Sequence, residues 1–128
     1  MTASRTVTVP TSDHGPVTIP EPAWCTGASH RHGPVFRADI HHDGEPATIT
    51  VDTTRGPMAL MSLYLNQNPF VTDPDARGVN VIAVFADGDS WPAGIGELGE
   101  IAGRIIRAAR LIVPVARRLD AVRGGEPS

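Results

Sequence analysis

The chain has 128 residues, 41% of them hydrophobic and 20% charged, so it can bury a core of its own and needs neither disulfides nor metal merely to fold. Its net charge of −3 excludes a general electrostatic pull toward nucleic acid or anionic membrane. Its single cysteine, Cys25, excludes an intrachain disulfide and favours a reducing compartment, which makes a cytoplasmic location the expectation.

The start of the chain, MTASRTVTVPTSDHG, lacks the apolar run of a signal peptide, and no later stretch approaches the roughly 20 apolar residues that span a bilayer. Thr6-Val7-Thr8-Val9 and Val17-Thr18-Ile19 alternate polar and apolar residues around a turn-rich segment. Residues 1–19 therefore read as a hairpin or as a loose N-terminal arm.

Residues 20–46 are rich in Pro and Gly and show no periodicity. A structureless loop this long is uncommon inside a compact domain unless something organises it. Four of the five histidines, His30, His32, His41 and His42, lie here with Cys25, and Asp39 and Asp43 bracket the histidine pair. Thiolate, imidazole and carboxylate are the donors that a tetrahedral zinc site takes. Cys25, His30 and His42 form the best three-ligand set, with His32, Asp39, Glu21 or water as the fourth. A metal would cross-link a loop that has no apolar core, because its binding energy becomes folding energy. The opposing reading makes the histidines exposed loop residues and Cys25 a small buried hydrophobe. Trp24 either packs over the loop and shields it from water or serves as a recognition aromatic.

The remainder is more regular. Ala47–Val51 alternates as a strand, residues 52–57 form a turn, and Met58–Leu65 is a mostly apolar strand expected to be buried on both faces or paired centrally. Residues 66–78 form a polar loop with two prolines, and Val79–Phe85 is a third, β-branched strand. Residues 93–122 read as a helix, with Leu98, Ile101, Ala102, Ile105, Ala109, Ile112, Ala116 and Leu119 on one face. Ser90 and Pro92 serve as its start signals, and Pro114, which cannot bond the carbonyl of Arg110, predicts a kink or break. The expected architecture is α+β: a mainly antiparallel sheet of three to five strands covered by one long C-terminal helix. It forms a single domain over residues 20–122, followed by a disordered tail at 123–128.

The segment Pro22-Ala23-Trp24-Cys25, then His30, then His42-Asp43-Gly44, followed by strands and an Ala-rich helix, resembles an uncharacterised family of short actinobacterial proteins. That family carries a Pro-x-Trp-Cys…His…His-x-Gly signature and is classed as a domain of unknown function. The resemblance covers roughly residues 20–120, although only the motif is specific. It implies that Cys25, His30 and His42 act together, and it implies no reaction. In such relatives another cysteine often precedes the proline; here Glu21 stands in its place and leaves the fourth ligand open.

Three functions fit these observations. The first is a small zinc-binding accessory or regulatory module whose loop presents a surface to a protein partner. The second is a metal-dependent hydrolase or nuclease built on His41 and His42, with Asp39 or Asp43 as base and His32 as acid. The third is a metal-free interaction scaffold. No serine-hydrolase elbow, P-loop, GxGxxG or HExxH is present. Residues 94–128 hold six Arg against four acids, whereas residues 1–93 hold five against ten. Arg104, Arg107, Arg110, Arg117 and Arg118 thus offer a face for nucleic acid, but they lack interleaved aromatics and read equally as a solvated helix face. Gly96, Gly99 and Gly103 form a stripe that suits either close packing in a homodimer or a frayed first turn.

Overall fold

A computed structural model describes residues 5–124. The fold is α+β, with antiparallel sheets of two and five strands and one long C-terminal helix. The chain divides into two compact units at Ala93–Gly94.

The first unit opens with a hairpin of β1 (Arg5–Thr11) and β2 (Gly15–Glu21), paired from Arg5 with Glu21 to Thr11 with Gly15. Alternation puts Val7, Val9, Val17 and Ile19 on one face, while Thr8 and Thr18 share a 2.8 Å hydroxyl hydrogen bond on the exposed face. An isolated two-stranded hairpin is at best marginally stable in water. This one packs its apolar face on Ile40, which is only 1% exposed, with Val35 and Phe70 at the margin. The backbone N–H of Ser12 also donates to the carbonyl of Val35 at 2.9 Å, and that of Arg37 to Oδ1 of Asp13 at 2.9 Å. The irregular segment after β2 is therefore held by the hairpin and by its own buried isoleucine.

The larger sheet is built on β5 (Gly56–Gln67). Its N-terminal part pairs with β4 (Ala47–Thr53) and its C-terminal end with the two-residue β3 (His42–Asp43), both along the same edge. On the other edge lies β6 (Asn80–Phe85), followed by β7 (Ser90–Ala93). Met61, Ala83 and Ala93 are its buried hydrophobic side chains. Of the two expectations for residues 58–65, central pairing holds, with β3 and β4 on one edge and β6 on the other, whereas burial on both faces does not, since Met58 is 52% exposed and Leu65 38%. Residues 90–93, read from sequence as a helix start, instead form an edge strand. Such a strand tolerates Pro92 because no further strand needs its N–H, and Trp91 stacks on Phe85 with centroids 4.7 Å apart.

The second unit is the helix. It begins at Ile95, runs as α1 (Ile95–Ala109) and α2 (Ile112–Arg123), and bends by only 7°. Of the kink or break expected at Pro114, no sharp kink forms, but the helix is interrupted just before it, between Ala109 and Ile112. The N–H of Arg110 still reaches the carbonyl of Ile106 at 3.2 Å, and the ladder lapses at Leu111, whose N–H turns back to Ala108 at 3.1 Å. Pro114 thereby falls in the first turn of α2, where a missing N–H costs nothing. No described helix is long and apolar enough to cross a membrane. Most of the expected tail at 123–128 lies outside the described residues.

Candidate metal centre

Three separate segments deliver side chains to one point. Glu21 ends β2. Its cross-strand partner Arg5 brings Nε within 3.5 Å of Glu21 Oε2 and donates from Nη2 to the carbonyl of Cys25 at 2.8 Å. Pro22 then starts a turn closed by the N–H of Cys25 on its own carbonyl at 3.0 Å. Cys25 bridges to Gly44, and the N–H of Thr26 donates to the carbonyl of Asp43 at 2.9 Å, so the cysteine is tied to β3.

Gly27 adopts φ 78°, a left-handed conformation that favours glycine, and its N–H reaches back to Cys25 Sγ at 3.4 Å. The short 3-10 turn Ala28–His30 follows, and Ser29 Oγ donates to the carbonyl of His41 at 2.8 Å, fixing that turn over β3. His42 is placed by pairing with Gln67 of β5.

Gly44 sits where space is tight. Its N–H donates to the carbonyl of Leu65 at 2.8 Å. A Cβ there would stand 3.3 Å from Leu65 Cβ and 3.4 Å from the carbonyl oxygen of Trp24. A larger residue would push the Trp24-Cys25 segment off β3.

The outcome is a cluster of Glu21, Cys25, His30 and His42, with one potential ligand atom from each lying within 4.8 Å of all the others. Nε2 of His30 is 3.6 Å from Cys25 Sγ, 3.3 Å from His42 Nδ1 and 3.2 Å from Glu21 Oε1. A tetrahedral zinc with N and O ligands near 2.0–2.1 Å and sulfur near 2.3 Å has N–N and N–O edges of about 3.3 Å and N–S edges of about 3.6 Å. All three distances match such edges.

A hydrogen-bonded network explains them less well, because a ring nitrogen carries one hydrogen or one lone pair and here faces three partners. Glu21 Oε1 is buried and accepts no hydrogen bond among the described residues. The four side chains can thus hold a metal ion. Burial pushes the Cys25 thiol above its usual range, with the neighbouring Glu21 carboxylate adding to the effect. Burial likewise depresses His42, and the nearby His30 acts in the same direction.

Of the three fourth-ligand candidates, only Glu21 joins the cluster. His32 and Asp39 are exposed and lie apart from it. His41, the residue before β3, takes its side chain to other partners. Its Nε2 lies 3.2 Å from Asp43 Oδ2, its Nδ1 lies 3.1 Å from the carbonyl of Asp39, and Asp43 also accepts from Asn66 at 2.8 Å. The His41, Asp39 and Asp43 group is therefore a surface network distinct from the cluster. Trp24 is half-buried and edge-on to His42, with centroids 6.3 Å apart. Sequence reasoning missed Arg5, whose role follows only from its register opposite Glu21.

A family model described as Domain of unknown function (DUF6907) matches residues 6–121, and the chain belongs to that family. No curated protein and no solved structure matches the chain.

Proposed function

We propose that this member of the DUF6907 family is a small zinc-binding accessory module whose ion, held by Glu21, Cys25, His30 and His42, fixes a recognition loop for a protein partner. The observation that carries the reading is the convergence of three potential ligands on His30 Nε2 at the edge lengths of a tetrahedral site. Thiolate plus imidazole favours zinc over the oxygen-preferring magnesium and calcium.

Four protein ligands fill a tetrahedral site and leave no position for a reactive water, which favours a structural ion over a hydrolytic one. Such an ion would join the hairpin, the loop and the five-stranded sheet at one point, and so order the segment between β2 and β3. That segment exposes Phe36 at 60%, a large apolar side chain suited to contact with another protein.

Elemental analysis of protein purified without chelators tests the reading. About one zinc per chain is expected, together with loss of order across residues 22–44 when the ion is stripped. Metal-free protein whose loop amides remain fully protected from hydrogen exchange would overturn it.

A further inference from the structure

A cleft of about 430 Å³ opens beside the cluster, and Glu21 and His42 belong to both. Ile19 and Phe70 give it apolar walls, while Arg5 and Gln67 contribute the polar groups. The volume falls within the range of small-molecule sites, and an apolar lining with a few placed polar groups is their usual composition. Arg37 stacks its guanidinium 3.9 Å from the centre of the Phe70 ring, which holds that wall in place.

Charge selects the ligand. Arg5 is the cation lining this cleft, its side chain is 53% exposed, and its carboxylate neighbour is Glu21. A divalent ion bound by one thiolate and one carboxylate forms a neutral centre, so Glu21's charge is then balanced by the metal and Arg5's is left uncompensated at the cleft. A planar guanidinium is the preferred partner of a carboxylate.

We infer that the cleft binds a small monocarboxylate with an apolar body, the carboxylate on Arg5 and Gln67 and the body against Ile19 and Phe70. This rests on the metal-centre reading above, because the metal is what frees the positive charge. The ligand sits beside the centre and does not enter its coordination sphere.

The probe is 3-phenylpropionate, titrated calorimetrically into zinc-loaded protein, with the neutral 3-phenylpropanamide as its control. The carboxylate should bind about tenfold more tightly than the amide, equivalent to about 1.4 kcal/mol. Arg5→Gln should abolish that difference and Arg5→Lys should keep part of it. Since Arg5→Gln can also loosen the hairpin, Gln67→Glu provides a second arm, placing a negative charge in the cleft without touching Arg5; it should weaken the carboxylate and spare the amide.

Zinc content is measured on every sample. Protein that holds one zinc per chain yet binds acid and amide equally, or binds neither up to roughly 10 mM, overturns this inference and leaves the metal centre standing. Protein that takes up no zinc overturns the metal centre itself, and the inference with it.

Discussion

Nε2 of His30 lies 3.3 Å from Nδ1 of His42, with the two rings 82° apart, so the nitrogens converge while the rings avoid stacking. His41, one residue earlier, points away and pairs with Asp43. Two adjacent histidines should therefore respond oppositely to truncation. His42→Ala is expected to lose the bound metal and to expose the amides of residues 22–44 to exchange, whereas His41→Ala should keep the metal and lose only a surface pair worth at most about 1 kcal/mol. Metal content and hydrogen exchange on the two variants check this. Equal metal content in both would contradict it.

Glu21 is the fourth ligand in this reading, and its alternatives are exposed. Glu21→Gln replaces a charged oxygen donor with a weaker neutral one. It should reduce zinc affinity by about tenfold or more in competition with a chromophoric chelator, the lower end of what even an outer-shell loss costs. Asp39→Asn and His32→Ala should leave the affinity unchanged. A large loss from either of these would move the fourth ligand away from Glu21.

The buried imidazole of His42 also sets a direction with pH. Burial, joined by His30, holds it below its ordinary value of 6.5. The unfolded chain takes up that proton as pH falls through the ordinary value, while the folded chain does so only at lower pH. Between those two points the unfolded state binds more protons, so stability falls as pH is lowered. Chelator-treated protein should therefore melt at a lower temperature near about pH 5.5 than near about pH 7.5. Metal-loaded protein should show the same direction more strongly, because protons compete with the ion for the same ligands. Melting scans by circular dichroism decide the matter, and a higher melting temperature in acid would contradict it.

Gly99 lies inside α1, and a Cβ built on it meets nothing within 4 Å. Glycine in a helix interior loses more backbone entropy than alanine, so Gly99→Ala should stabilise the helix by about 0.5–1 kcal/mol. Far-ultraviolet circular dichroism through thermal unfolding measures this. A loss of helicity or of solubility would show that this glycine faces a closely packed neighbour in solution.

The strands at 47–53 and 80–85 were legible because alternation and β-branched residues report directly on a pleated surface, and the long helix because its apolar residues recur at helical spacing. That Cys25, His30 and His42 could share one ion was suggested by donor chemistry and crowding, and the structure brings the three together. Other features were hidden. A proline at 92 looks the same at a helix start and in an edge strand, and only the stacking of Trp91 on Phe85 and the pairing with β6 distinguish them. The two-residue β3 is too short to show a period.

By itself, then, the sequence determined the element types and the kinds of donor present, since both depend on residues near one another in the chain. Tertiary structure decided which donors meet. Glu21 joins because hairpin register sets it opposite Arg5, which pairs with it and hydrogen-bonds the carbonyl of Cys25. His32 and Asp39 stay outside at exposed positions of the loop, and His41, just before β3, pairs with Asp43 instead. Pairing register is a long-range property, and a list of ligands along a loop does not contain it.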